Sequence, residues 1–262
     1  MLLPNDTFLQ YNLGPKVTAF STRRYGGVSK GNYATFNVND YCGDYPDDVM
    51  VNRQLLCRLL GITVDRLVMP HQIHGIQVRL IDDAFLKMDD VARRQFLEGV
   101  DALITCETNI CIGVSTADCI PVILYDPVHH VCGVAHAGWR GTVARIVCHT
   151  LSTMQQHFAT QPQEIRAVIG PGISLLAFEV GQEVYDTFAS EHFPMQRIAE
   201  KYDKWHIDLP LCNRMLLTDA GVRDEYIHDA AICTYNNPRD YFSARRLGIH
   251  SGRILTAILI EN

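Results

Sequence analysis

The spacing of apolar residues along the chain predicts four helices. The clearest pattern covers Thr142–Phe158, where six apolar side chains recur every three or four positions: Val143, Ile146, Val147, Leu151, Met154 and Phe158. An apolar face of the same kind predicts a helix at Asp47–Leu60. Shorter helical patterns cover Val180–Phe188 and Leu209–Ala220.

Short β-type apolar runs recur from residue 17 to residue 260, without repeats or Gly/Ser linkers. They predict strands at Val17–Ser21, Val78–Ile81, Ala102–Cys106, Ile112–Ser115, Ile120–Tyr125, Val131–Ala135, Ala167–Ile169 and Ile254–Ile260. Arg24–Asn32 is predicted to be a glycine-rich loop. Several runs are apolar on both faces, which is typical of sheets covered on both sides. The pattern therefore predicts one continuous domain over residues 1–262, an α/β or α+β layered sandwich.

Composition and charge exclude several classes of protein. With 47% hydrophobic and 20% charged residues, the chain is neither disordered, collagen-like nor a coiled coil. The 23 basic and 29 acidic side chains give a net charge of -6, which opposes a general nucleic-acid surface. The first ten residues lack a secretory pattern, and no stretch reaches the ~18 apolar residues of a membrane helix. We expect a soluble, cytoplasmic protein without nucleic-acid or membrane partners; its oligomeric state stays open.

The nine cysteines form no C-x-x-C pair. Several stand within apolar strings, such as HHVCGVAHA and RIVCHTL. Most are expected to be small buried hydrophobic residues in a reducing cell, which leaves one or two for chemistry.

Candidate chemistry is concentrated in residues 117–142, ADCIPVILYDPVHHVCGVAHAGWRGT. Two β-type runs flank an Asp-Pro-Val-His sequence that favours a type I turn. A hairpin closed by this turn would pair Asp126 with His129 and would place Cys119 directly opposite His136. Such a pair suits a metal held by thiolate and imidazole, or a Cys–His nucleophile pair. The plainest alternative is two core residues.

Two neighbouring motifs add further candidates. In the strand-to-helix turn after His136, glycines and a helix N-terminus favour anions, and Arg140 suits phosphate or carboxylate. The alternative is a tight turn with an exposed arginine. In MPHQIHG, His71 and His74 lie on opposite faces of a strand entry, so only one of them can point inward.

The ordered motifs STRRYGGVS, TFN, GDYPDDVMVNRQLL, QIHG, VDALIT, ADCIPV, VAHAGWRGT, IGPGI, FEVG, YFSARR and GR span nearly the whole chain. In this order they resemble the YfiH family, also called the laccase-domain, polyphenol oxidase or purine nucleoside phosphorylase family. The resemblance implies an α/β/β/α sandwich with mixed sheets. It also implies a catalytic zinc ion on His74, Cys119 and His136, with copper as the other candidate metal, and leaves His71 a structural role. Three protein ligands leave one coordination position open, as in catalytic zinc sites.

The activity that the resemblance implies is phosphorolysis of purine nucleosides. Adenosine, inosine or S-methyl-5'-thioadenosine would react with phosphate to give a ribose 1-phosphate and the free base, with adenosine deamination as a companion activity. The expected partners are therefore a small nucleoside and phosphate. Asp101 and Asp118 are the nearest acids, and either is expected to protonate the leaving base, to orient a zinc-bound histidine or to serve as a cap.

Arginines are the candidate contacts for phosphate or substrate: Arg24, Arg140 and Arg245, with Arg246 and Arg253 as further candidates. Surface or structural ion pairs are the alternative for each. The TRRYGGVS motif is one residue longer than the usual T-R-x-G-G-V-S, so Arg23 or Arg24 corresponds to the family arginine.

Three other functions compete with this interpretation. A Cys–His hydrolase that edits peptidoglycan precursors would use Cys119 as the nucleophile and His136 as the base. A copper-dependent polyphenol oxidase would also suit a His₂Cys set, although the chain lacks the H-x-H patterns of multicopper sites. A non-catalytic zinc protein would close the fourth position with Cys132 or His71.

Overall fold

The computed structural model describes residues 7–262. The strands are β1 (Phe8–Tyr11), β2 (Val17–Thr22), β3 (Leu67–Val68), β4 (Val78–Leu80), β5 (Ala102–Thr105), β6 (Cys111–Thr116), β7 (Ile120–Asp126), β8 (Val131–Ala137), β9 (Arg166–Ile169), β10 (Glu179–Val180), β11 (Ala199–Lys201), β12 (Trp205–Ile207), β13 (Ile227–Asp229) and β14 (Ile254–Ile260). The helices are α1 (Pro46–Leu60), α2 (Asp83–Leu86), α3 (Asp90–Phe96), α4 (Trp139–Val143), α5 (Ile146–Phe158), α6 (Gln182–Ser190), α7 (Met195–Ile198), α8 (Leu209–Asp219) and α9 (Ala244–Leu247). No helix in this part of the chain is long and apolar enough to cross a membrane.

Two mixed sheets form the centre of the fold. The first has the strand order β1-β2-β14-β6-β3, and the second has the order β13-β9-β7-β8-β5-β4. One apolar core lies between the sheets, a second lies between the first sheet and α1, and a third lies between the second sheet and α5, α6 and α8. The predicted α/β/β/α sandwich is confirmed. A small antiparallel sheet, β10-β12-β11, accompanies it.

The strand β14 shows why a run that is apolar on both faces is needed. Every residue of ILTAILI is buried. Ile258 and Ile260 pack between the two sheets, whereas Leu255 and Leu259 pack beneath α1. Because side chains alternate across a strand, a strand with helices on one side and a sheet on the other must be apolar on both faces.

The β7–β8 hairpin differs from the predicted register by two residues. Asp126 pairs with Val131 rather than with His129, so Cys119 does not lie directly opposite His136. A two-residue shift preserves the face of every side chain, because the side-chain period of a strand is two. Cys119 immediately precedes β7. Cys119 and His136 therefore stay on the same face of the hairpin, displaced from each other by two residues along the strands.

The cause of this shift is the loop at residues 127–130. The Asp126 carboxylate accepts hydrogen bonds from the amides of Val128 and His129 and from His129 Nδ1, at 2.8–3.1 Å. His130 then adopts a φ of 53°, in the left-handed region. These side-chain hydrogen bonds stabilise a four-residue connection in place of the two-residue turn.

The Asp126 carboxylate is expected to stabilise the fold in a pH-dependent way. Burial alone would raise its pKa, but the hydrogen bonds, first that of His129, hold the pKa of Asp126 below its ordinary value. A lowered folded-state pKa stabilises the fold above the unfolded pKa of about 3.9, and this stabilisation is lost as the pH falls through the folded pKa. Asp126→Asn should lower the free energy of unfolding by about 1–3 kcal/mol at pH 7. Urea unfolding of the wild type and the variant should show this difference shrinking towards pH 3. A difference that stays constant with pH would show that the Asp126 carboxylate does not have this role.

The predicted helix Thr142–Phe158 is two helices, α4 and α5. The chain breaks at Arg145, which adopts a φ of 61° in the left-handed region. Ile146 and Val147 continue the apolar spacing beyond the break and pack on the second sheet, so periodicity alone predicts one helix.

Five of the nine cysteines are buried, and all nine are unpaired thiols.

Candidate metal centre

Three separate segments bring His74, Cys119 and His136 together. His74 precedes β4, Cys119 precedes β7, and His136 lies within β8. Their candidate ligand atoms all lie within 4.8 Å of one another, and Cys119 Sγ is 3.8 Å from His74 Nε2. Two imidazoles and one thiolate are donors that suit zinc or copper. This donor set and its spacing fit one metal ion with a further coordination position open.

Unusual backbone conformations hold two of these side chains in place. His74 has a φ of 64°, and Asp118, next to Cys119, has a φ of 88°. Such conformations cost on the order of 1–3 kcal/mol each for residues other than glycine, and they concentrate at functional sites. At His74 the strain is offset by hydrogen bonds, because Asp101 accepts from the amides of His74 and Gly75 at 3.0 and 2.7 Å.

Asp101 also fixes the orientation of His136. Its fully buried carboxylate accepts a hydrogen bond from His136 Nδ1 at 2.8 Å. With Nδ1 carrying the proton, the lone pair of Nε2 is left for a ligand, as in carboxylate–histidine–metal arrangements. The geometry matches the orienting role among the alternatives for Asp101.

The cluster also changes the charge states of its own members. Burial opposes ionisation of Cys119, but His136 and the hydrogen bonds from both imidazoles outweigh it and lower the pKa of Cys119 to about 6. Burial likewise opposes protonation of His136, but the thiolate and Asp101 raise the pKa of His136 to about 9. Without a metal ion, Cys119 is therefore a thiolate beside a protonated His136 at neutral pH. A bound metal ion would contact the thiolate and take the place of the Nε2 proton of His136.

A cavity of about 610 Å³ includes all three side chains in its lining. This volume is within the roughly 300–1,000 Å³ of small-molecule sites. The wall also contains Tyr41, His71 and Phe178, together with Arg245 and Arg253. Tyr41 stands outside the quoted motifs, and Phe178 opens the FEVG motif without a role having been assigned to it. No local pattern places the two side chains in one cavity, because they come from segments far apart in the chain.

Asp118 and Arg245 lie together at this cavity. The Asp118 carboxylate accepts hydrogen bonds from Thr234 Oγ1 and from the backbone amide of Arg245, both at 2.7 Å. The Arg245 side chain lines the cavity, and its Nη2 donates to the Glu179 carbonyl at 3.0 Å. Asp118 thus anchors the first turn of α9, which carries Arg245.

Three of the predicted phosphate contacts lie outside the cavity wall: Arg24, Arg140 and Arg246, whose Nε donates to the Tyr235 carbonyl at 2.9 Å. Arg24 donates from Nε to the Ala34 carbonyl and from Nη1 to the Pro238 carbonyl, both at 2.8 Å, and so ties the glycine-rich loop to the body of the protein. Arg140 is exposed, with its guanidinium 4.2 Å from the centre of the Trp139 ring. None of the three arginines is among the cavity-lining residues.

The remaining candidates are also outside the cluster. Arg23 forms an ion pair with Asp240 at 3.3 Å. Cys132 is buried in the core between the two sheets, and His71 Nδ1 bonds Glu98 Oε1 at 2.7 Å. Neither Cys132 nor His71 belongs to the three-residue cluster found among residues 7–262.

Gly138 is required by its close approach to the cluster. A Cβ atom at this position would lie 2.9 Å from both Cys119 Sγ and His74 Cδ2. We expect Gly138→Ala to displace these ligands and to weaken zinc binding about 10-fold or more, measured by competition with a chelator. Gly141→Ala is the matched control, because its Cβ would meet no ligand side chain. Unchanged zinc affinity in Gly138→Ala would contradict the expected displacement.

Known proteins are similar to this chain over most of its length. A family model described as multi-copper polyphenol oxidoreductase laccase matches residues 18–261. A purine nucleoside phosphorylase of Bacteroides thetaiotaomicron is 47% identical over 94% of this chain and 92% of that protein. Adenosine deaminase RL5, from an unknown prokaryotic organism, is 42% identical over 92% of this chain and 93% of that protein.

Solved structures show the same architecture. The crystal structure of YlmD from Geobacillus stearothermophilus has a TM-score of 0.91 and 29% identity, and the match covers 100% of this chain and 98% of that one. The YfiH protein of Bacillus licheniformis also has a TM-score of 0.91, with 27% identity over 98% of this chain and 97% of that one. The chain therefore belongs to the laccase-like YfiH family, which the matching model describes as multi-copper polyphenol oxidoreductase laccase.

Proposed function

We propose that this protein is a zinc-dependent purine nucleoside phosphorylase with a companion adenosine deaminase activity. The observation that carries the proposal is the His74, Cys119 and His136 cluster in the wall of a ligand-sized cavity that also contains a guanidinium group. The names of the similar proteins, purine nucleoside phosphorylase and adenosine deaminase, support an enzyme that acts on nucleosides. Adenosine, inosine and S-methyl-5'-thioadenosine are the proposed substrates.

A zinc ion held by the three side chains would supply Lewis-acid stabilisation of negative charge in either reaction. Asp101 keeps His136 in one tautomer and orientation, so little reorganisation is needed when charge develops. The Arg245 guanidinium attracts anionic phosphate into the cavity. Asp118 acts here as a positioning residue, since both of its oxygens already accept hydrogen bonds.

The Cys–His hydrolase is the second candidate, because the lowered pKa of Cys119 beside His136 also suits a nucleophile. A nucleophile pair does not require the third donor, His74. Mass spectrometry after incubation with a peptide or ester substrate separates the two functions: an acyl adduct on Cys119 supports the hydrolase, whereas its absence in zinc-loaded, active protein supports the metal site.

The direct experiment uses zinc-loaded protein with inosine or adenosine, with and without phosphate. We expect hypoxanthine or adenine, together with ribose 1-phosphate, only when phosphate is present. Adenosine without phosphate should give inosine through deamination. Base release that is independent of phosphate would overturn the phosphorylase assignment, and no reaction of either nucleoside would overturn the nucleoside assignment. Phenol oxidation by copper-loaded protein alone would favour the polyphenol oxidase.

A further inference from the structure

Tyr41 is an exposed aromatic residue that does not belong to any of the apolar cores. Its side chain is 47% exposed, yet it lines the cavity that contains the metal cluster. Its amide is fixed by a 2.7 Å hydrogen bond to Asn39 Oδ1. A large aromatic ring held in this way beside a cavity offers a ready-made face for a flat ligand.

His71 supports the Tyr41 ring from one side. The two ring centroids are 4.2 Å apart and the rings are within 22° of parallel. Glu98 Oε1 lies 2.7 Å from His71 Nδ1, and the His71 backbone bonds Leu97 and Gly99 at 3.0 Å. The ring beneath Tyr41 is thus held by its side chain and by its backbone.

The same segment links this ring pair to the metal cluster. Gln72, between His71 and His74, forms two hydrogen bonds with the backbone of Ser115, at 2.9 and 2.7 Å. Three residues of chain span at most roughly 11 Å, so the backbones of His71 and His74 lie within that distance of each other on one braced segment. A nucleoside is long enough to place its base at one of these points and its sugar near the other.

We propose that the exposed face of Tyr41, backed by His71 and Glu98, is the stacking platform for the purine base. The inference rests on the proposed function and assigns the base end of its substrate. The platform favours ligands with a planar, extended π-system. A purine stacked on it would have its glycosidic bond on the side of the metal cluster. Tyr41 is therefore a binding residue, and His71 and Glu98 are positioning residues.

The test measures binding of inosine to zinc-loaded protein by calorimetry without phosphate, so that no phosphorolysis occurs. Tyr41→Ala is expected to weaken inosine binding about tenfold, and Tyr41→Phe, which keeps the ring, less than about twofold. Tyr45→Ala is the matched control, because Tyr45 is 74% exposed on the same segment and does not line the cavity. Zinc content and the thermal midpoint of each variant report whether it is folded and loaded.

Kinetics separate the platform from the proposed function. In Tyr41→Ala, the KM for inosine should rise about tenfold, while kcat and the KM for phosphate stay near the wild-type values. Equal inosine affinity in Tyr41→Ala and wild type would overturn the platform, while phosphate-dependent hypoxanthine release by the wild type would leave the phosphorylase standing. Failure of the wild type to bind inosine would overturn the platform, and failure to release base would overturn the proposed function.

Discussion

Cys119→Ala is expected to lose its equivalent of zinc and to lower nucleoside phosphorolysis more than about 100-fold. Removing the thiolate leaves only two imidazoles to bind the ion. Removing a hydrogen-bond partner of a metal ligand already lowers metal affinity or activity about 10–100-fold. Removing a ligand itself should lower them further. Zinc is measured by elemental analysis after dialysis, and activity is measured as phosphate-dependent base release.

Cys148→Ala is the matched control for this variant. Cys148 is also a half-buried thiol, but its Sγ lies 3.7 Å from the Leu216 carbonyl and it is not part of the cavity wall. This control should keep its zinc and its activity. A full equivalent of zinc retained in folded Cys119→Ala would show that the thiolate is not a ligand.

Asp101→Asn is expected to weaken zinc binding by about 10–100-fold and to destabilise the fold by about 1–3 kcal/mol. Every group that contacts the Asp101 carboxylate is a donor: His136 Nδ1 and the amides of Ile73, His74 and Gly75. Asparagine offers only one acceptor oxygen, and its amide group would meet donors. His136 would then lose the partner that fixes its tautomer.

Asp126→Asn provides the control for Asp101→Asn. Asp126 is also fully buried and also lies 2.8 Å from a histidine Nδ1, but it lies at the far end of the β7–β8 hairpin. We expect it to lose stability without losing zinc affinity. Equal zinc affinities for the two variants would indicate that Asp101 affects folding alone.

The layers of the fold could be predicted from the sequence because burial on both faces leaves a direct pattern. In β14 and β7, apolar runs without alternation indicate strands covered on both sides, and the structure shows every residue of both strands buried. The break between α4 and α5 leaves no such pattern. The left-handed backbone conformation of Arg145 separates α4 from α5, while the apolar spacing in the sequence continues past Arg145.

The candidate site could be predicted only in part. The shared face of Cys119 and His136 follows from strand parity, which survived the two-residue error in register. The direction in which a long side chain points does not follow from its motif. The sequence therefore predicts Arg24 and Arg245 equally as contacts for phosphate or substrate. In the structure, Arg24 binds two backbone carbonyls and Arg245 lines the cavity. The Tyr41–His71 stack depends on tertiary contact between distant loops, which no local pattern encodes.

The proposed function requires one metal ion held by two imidazoles and one thiolate, with a further position left for a small molecule. X-ray absorption at the zinc edge of the zinc-loaded wild type reports these ligands. We expect one sulfur and two imidazole ligands from the protein, and no protein-bound zinc in Cys119→Ala after dialysis. Zinc without a sulfur ligand in the wild type, or with a fourth protein ligand, would show that this ligand set is wrong.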